Sequence, residues 1–103
     1  MKPALTKRRF PRLVGSLPIE LRHRGVPLRS AAGDLSPSGC HVNLASALAV
    51  GTVIDVVLWT GNVKLAFRAT IRSADGMGNG LEFTGISEEQ RTRLQRYLAE
   101  MSL

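Results

Sequence analysis

The sequence predicts a mainly β fold, a six-stranded antiparallel β-barrel of the split-barrel type with a C-terminal α-helix. Several short segments alternate apolar and polar residues, turn-forming residues separate them, and the last segment has helical spacing. The chain has 103 residues, enough for a single hydrophobic core, so we expect one folded domain. Closing six short strands into a barrel would remove edges that otherwise promote aggregation.

The first three strands are predicted at 17–24, 26–35 and 40–44, with Gly25 as the first turn and Pro37-Ser38-Gly39 as the second. The small residues at 31–33, just before Asp34, have two interpretations. They either let another molecule approach the backbone or mark a bulge in a strongly bent sheet.

Residues 45–51 are predicted as a connection, with or without a short helical turn. The next two strands are expected at 52–59 and 63–72, joined by a tight hairpin at 60–62. We interpret the glycine-rich segment 75–80 as a hairpin loop, since a phosphate-binding loop needs a following helix. Leu81 and Phe83 give the last strand its inward face.

The C-terminal helix is predicted at 87–102. Ser87 and Gln90 have the spacing of a capping box, with acidic residues between them in the first turn. We expect an apolar stripe at helical spacing to pack on the barrel: Leu94, Tyr97, Leu98 and Met101. Trp59 is also expected to serve packing.

The positive charge is concentrated near the N-terminus. The chain carries a net charge of +6, and residues 1–29 hold eight Lys or Arg against one acid. This distribution indicates an anionic partner, and it fits nucleic acid, an acidic membrane surface or a small phosphate ligand equally well.

Other classes of protein are disfavoured by the composition. We expect neither a signal peptide nor a membrane span, and we expect a cytoplasmic protein with the single Cys40 reduced. Two histidines, His23 at a strand end and an exposed His41, are too scattered for a metal site. We predict no cofactor and no enzymatic activity.

Two short motifs lie in the first 40 residues. Arg8 and Arg12 form Arg-x-x-x-Arg, with Arg9 between them, and the nearby Pro11 disfavours a helix. We therefore predict a flexible basic arm at 1–12 ahead of a barrel domain at 13–103. The second motif, Asp-x-Ser-x-x-Gly, consists of Asp34, Ser36 and Gly39, and two residues of a strand separated by one share a face.

These motifs, in this order, resemble those of the PilZ family, bacterial receptor domains for cyclic di-GMP. The resemblance covers nearly the whole chain, because Gly80-Leu81-Glu82-Phe83 and the final helix also fit the family pattern. Cys40 departs from it, standing where a small Ala or Gly is usual.

The resemblance implies that cyclic di-GMP binds at Arg8, Arg9, Arg12, Asp34, Ser36 and Gly39. The arginines would contact phosphate and guanine, Asp34 would accept from guanine N–H groups, and Ser36 and the backbone near Gly39 would complete the floor. It also implies an unidentified downstream protein in motility, attachment or exopolysaccharide control, and a monomer or a ligand-linked dimer.

Three alternatives remain open at this level. One alternative is a small basic barrel that binds nucleic acid, although the few aromatic residues disfavour this. Another is a PilZ-like interaction domain that does not bind the nucleotide. Asp34 also has a local interpretation, because an aspartate before Ser and Pro commonly caps a turn by an Asx-type hydrogen bond.

Overall fold

The structure, a computed structural model, describes residues 16–44, 47–76 and 78–101. Within these ranges six strands and a helix form the fold. They are β1 (Ser16–His23), β2 (Val26–Ser36), β3 (Gly39–Val42), β4 (Val53–Thr60), β5 (Val63–Asp75), β6 (Gly78–Glu82) and α1 (Glu88–Met101). The strands form a closed barrel in the order β1-β2-β3-β6-β5-β4, and every pair is antiparallel. The predicted six-stranded barrel with a C-terminal helix is confirmed.

Two hairpins owe their turns to backbone conformations with positive φ. Arg24 and Gly25, with φ of 55° and 78°, join β1 to β2. Two successive positive φ angles match the right-handed twist of the strands that they connect. Gly61, with a φ of 66°, serves the hairpin between β4 and β5.

The barrel interior is filled by the inward residues of all six strands. Leu21, Val56 and Ile71 have no exposed surface, and the rings of Phe67 and Phe83 meet edge to face with centroids 4.8 Å apart. Alternation of inward and outward side chains therefore produces the core as the sequence predicts.

Helix α1 packs on the barrel through Leu94 and Leu98, both fully buried. The capping box is confirmed. The backbone N–H of Gln90 donates to Ser87 Oγ at 3.1 Å, and the backbone N–H of Ser87 donates to Gln90 Oε1 at 3.0 Å. Gln90 Nε2 also donates to the carbonyl of Ala66 on β5 at 2.9 Å. Inclusion of Met101 in the packed stripe is wrong, since this residue is 45% exposed.

The expected hairpin between the last two strands is confirmed, but its bounds of 75–80 are wrong, because β5 continues to Asp75 and β6 already begins at Gly78. Asp75 pairs with Gly78, and the residues that follow pair with both β5 and β3. Gly78 has a φ of 121°, and a Cβ there would collide with the carbonyl oxygen of Val42. The glycines of this segment therefore let neighbouring strands pack closely, in addition to forming a turn.

Two smaller expectations also need correction. Strand β3 ends at Val42 and does not continue to Leu44. Trp59 lies on the outer face of β4 with 52% of its surface exposed, so it does not pack in the core.

Asn79 is a fully buried polar side chain that holds the connection between β3 and β4 in place. Its Oδ1 accepts from the Leu48 amide at 2.9 Å, and its Nδ2 donates to the Leu48 carbonyl at 2.9 Å and to the Ser73 carbonyl at 3.1 Å. Within a connection that has no strand partner, the N–H and C=O of Leu48 thus obtain their hydrogen bonds from one side chain.

We expect Asn79→Ala to lower the free energy of unfolding by about 2 to 4 kcal/mol, because it leaves backbone groups of the partly buried Leu48 without these bonds and creates a cavity. Urea denaturation of the purified protein measures the change. The exposed Asn62 provides the matched control, and Asn62→Ala should change the value by less than about 0.5 kcal/mol. Equal effects of the two substitutions would contradict this role.

Candidate functional site

The second sequence motif lies where β2 passes into β3. Asp34 and Ser36 are at the end of β2, and Gly39 begins β3. Arg8, Arg9 and Arg12 lie outside the described residues. The structure therefore gives the geometry of the Asp34, Ser36 and Gly39 part of the site.

A β-bulge determines where the Asp34 side chain points. Gly33 pairs with His41 and Ser36 pairs with Gly39, so Asp34 and Leu35 together lie opposite Cys40 alone. Asp34 has a φ of 55°, a left-handed conformation that aspartate tolerates better than most residues. Leu35 is fully buried and Asp34 is exposed, so the carboxylate projects away from the core.

The bulge bears on one of the two interpretations of the small residues before Asp34. The bulge interpretation is confirmed, and Asp34 does not lie in regular strand as its spacing from Ser36 suggested. Leu35 still points inward between two outward residues. Asp34 and Ser36 therefore share the outer side of the barrel, for a different geometric reason.

The Ser36 hydroxyl organises the turn between β2 and β3. It accepts from the Ser38 amide at 3.3 Å, lies 3.1 Å from Ser38 Oγ, and donates to the Gly39 carbonyl at 3.4 Å. The side chain of Pro37 is buried beneath this turn. The backbone cap at Ser38 is thus supplied by serine, a local hydrogen bond of the serine–threonine type.

Gly39 is required by the packing of β3 against β6. It pairs with Glu82, and a Cβ at this position would collide with the carbonyl oxygen of Leu81. The Phe83 amide also donates to the Ser38 carbonyl at 2.8 Å, so the same turn is tied to the chain after β6. Whatever it contacts on the outside, the motif glycine has a structural function.

The N-terminal segment joins the barrel beside this site. Ser16, the first described residue, pairs with Gly33, the residue before Asp34. Arg12 precedes Ser16 by four residues in the sequence, so the arginine motif is joined to the end of β1 that pairs with Gly33.

The outward residues near the motif include an ion pair on the far side of β3. Arg72 Nε lies 2.7 Å from Glu82 Oε1, and both side chains are about half exposed. An exposed pair of this kind contributes little to stability, on the order of 0 to 1 kcal/mol. It does place a guanidinium and a carboxylate at the β6 side of the site.

Cys40 lies directly behind the motif with its side chain in the core. Burial raises the pKa of the Cys40 thiol from its ordinary value of 9.0 to about 12. The thiol is therefore a packing group in the folded protein, and the residue that departs from the expected sequence pattern faces away from the outer surface.

The part of the chain that the structure describes also bears on metal binding and on membranes. There, no group of three His, Cys, Asp or Glu side chains is arranged to hold a metal ion. The helix within these ranges lacks the length and apolar character needed to cross a membrane.

Comparisons with known proteins agree with the barrel fold. The family model of the PilZ domain matches residues 6–100. No curated protein shows a significant match to the chain.

Three solved structures show the same fold. A PilZ domain with cyclic di-GMP, from YcgR of Escherichia coli, is 20% identical, with a TM-score of 0.70 over 92% of this chain and 91% of that one. The PilZ domain of CeSA from a cellulose-synthesizing bacterium is 18% identical, with a TM-score of 0.69 over 89% and 98%. The Bacillus subtilis inhibitor of motility, MotI/DgrA, is 16% identical, with a TM-score of 0.74 over 91% of this chain, which spans only 50% of that protein.

The close approach at Gly39 predicts that Gly39→Ala destabilises the whole domain, by about 2 to 3 kcal/mol or more, because β3 must move away from Leu81. Thermal unfolding followed by circular dichroism measures the loss. Ser36→Ala, which removes only hydrogen bonds at an exposed turn, should cost about 1 kcal/mol. A Gly39→Ala protein as stable as the unmodified chain would show that the strands are not in this contact.

Burial of the Cys40 thiol predicts that iodoacetamide labels it at pH 8 only when the protein unfolds, because the reactive thiolate is scarce and enclosed. Mass spectrometry of samples with and without urea checks this.

The same pKa shift makes unfolding easier between pH 9 and pH 12, since the thiol of the unfolded chain ionises first. Cys40→Ala should remove that part of the pH dependence, and rapid labelling of the folded chain would contradict the burial.

Proposed function

The chain belongs to the PilZ domain family, and from that premise we propose that it is a receptor for cyclic di-GMP. The Asp34, Ser36 and Gly39 site takes the ligand together with Arg8, Arg9 and Arg12. The chain then acts as an effector, passing the signal to a separate protein. No covalent chemistry is involved, and the protein works in the cytoplasm.

The observation that carries the proposal is the bulge at Asp34 beside the start of the N-terminal segment. It turns the carboxylate outward on the barrel, next to Gly33, whose partner is Ser16. A carboxylate accepts the N1–H and N2–H groups of guanine, which are adjacent donors on one edge of the base. In the sequence, the arginine motif lies shortly before Ser16.

The arginines supply the remaining chemistry of the ligand. Cyclic di-GMP carries two phosphates and two guanines, and a guanidinium pairs in a planar fork with phosphate oxygens or with guanine O6 and N7. Arg8 and Arg12 contact the ligand from the arm, with Arg9 assisting. Binding then orders the arm over the barrel, and the ordering cost reduces the net affinity.

The known structures support the class of ligand and of output. The E. coli relative is a PilZ domain seen with cyclic di-GMP, and the B. subtilis relative is an inhibitor of motility. We infer that this chain likewise changes a surface that another protein reads, in motility, attachment or exopolysaccharide control. Binding of one or two ligand molecules leaves it a monomer or links two copies.

Isothermal titration with cyclic di-GMP tests the proposal. We expect saturable binding by the unmodified chain and a loss of at least about 100-fold in Arg12→Ala and in Asp34→Gly, because each removes charge-assisted hydrogen bonds to the ligand. Glycine is chosen at position 34 because it accepts the φ of 55° without strain.

Arg96→Ala is the matched control, since it removes the same charge from an exposed position on α1 and should leave the affinity unchanged. Absence of binding by the unmodified chain overturns the proposal. Equal weakening by all arginine substitutions, with affinity falling steeply as salt is added, would instead indicate a nucleic-acid-binding barrel.

A further inference from the structure

Gly33 differs from the other strand glycines of the described barrel because the fold does not require it. A Cβ at Gly39, Gly78 or Gly80 would collide with Leu81, Val42 or Ser73, respectively. Among the described residues, a Cβ at Gly33 would find its nearest neighbour, the His41 carbonyl oxygen, at 3.8 Å, an ordinary contact, and the φ of Gly33 is not in the left-handed region. Glycine inside a strand lowers stability, and packing against the described residues gives no reason for it here.

In the described part of the barrel, the space above Gly33 opens on the outer surface beside Asp34. Gly33 lies between the buried Ala32 and the bulged Asp34, and it pairs with Ser16 on one side and His41 on the other. An external group can therefore reach the bare backbone of β2 within one residue of the outward carboxylate.

His41 borders this space and has glycine as its cross-strand neighbour in both directions. It pairs with Gly33 on β2 and with Gly80 on β6. Its position between the inward Cys40 and Val42 places the imidazole on the outer face, half-buried and not fully exposed as the sequence suggested. Ser73 fills the space over Gly80, whereas no described side chain lies over Gly33. The imidazole can therefore be approached from the Gly33 side, which suits stacking with a nucleobase.

We propose that Gly33 and His41 form the seat of one purine base, an inference that rests on the function proposed above. The base packs on the backbone at Gly33 and against the imidazole of His41, with its polar edge toward Asp34. Gly33 thus admits the ligand by having no side chain, and His41 contributes contact area that the two motifs do not provide.

A graded series at position 33 tests the steric part of the proposal by titration with cyclic di-GMP. Gly33→Ala should weaken binding by about 10-fold, and Gly33→Val should reduce it below detection, because each added methyl group occupies space that the base needs. The melting temperature of Gly33→Ala should stay equal or rise, because alanine lowers the conformational entropy of the unfolded chain and its methyl group fits the folded one.

Gly76 provides the matched control. It also has room for a Cβ, with no neighbour within 4 Å and no positive φ, but it lies beyond the end of β5. Gly76→Ala should therefore bind like the unmodified chain.

Two substitutions at position 41 test the stacking part. His41→Ala should weaken binding by about 5- to 100-fold, the range that loss of one base–aromatic contact covers. His41→Phe keeps an aromatic ring and should stay within about threefold of the unmodified chain.

The outcomes separate this inference from the proposed function. If the unmodified chain binds and Gly33→Val and His41→Ala bind equally well, the base seat is wrong and the receptor function stands. If the unmodified chain does not bind, the receptor function is wrong and the base seat falls with it.

Discussion

The contact between the backbones of β3 and β6 is the constraint on which the rest of the site depends. Gly39 lies so close to the Leu81 carbonyl that no side chain fits, and this fixes where β3 begins. Because β3 begins at Gly39, the turn that connects β2 to β3 consists of only Pro37 and Ser38. Ser36 must then pair with Gly39. The surplus residue of β2 is then taken up as the bulge, and the bulge turns Asp34 outward.

The glycines of the chain therefore have two kinds of function. Gly39 and Gly78 let backbones approach within the barrel, and their replacement would disturb the fold. Gly33 has space for a side chain among the described residues and lies beside Asp34 on the outer face, where we propose that the missing side chain admits a ligand. The sequence alone cannot show whether a glycine is required by packing inside the protein or by a molecule that binds from outside. That distinction requires the positions of the neighbouring strands.

Much of the architecture was accessible from the sequence, because local rules produced it. The alternation at 63–72 predicted a strand with one buried face, and Leu65, Phe67, Ala69 and Ile71 are buried. The capping box at Ser87 formed as its residue types require. The failures came where pairing between distant strands overrode local preference, as at Gly78–Glu82, where glycines expected in a loop form the strand that β3 and β5 both need.

The sequence by itself determined that the chain forms a single small barrel with a closing helix, that its positive charge is concentrated before residue 30, and which residues carry the two motifs. Residue type and spacing are sufficient for those conclusions, since hydrophobic periodicity and side-chain chemistry act locally. Only the tertiary structure decided that Asp34 lies in a left-handed bulge, that Asn79 supports Leu48, and that His41 lies between Gly33 and Gly80. Each of these depends on strand register, which is set when residues far apart in the chain pair. A shift of the register by one residue would move every side chain of a strand to the opposite face of the sheet.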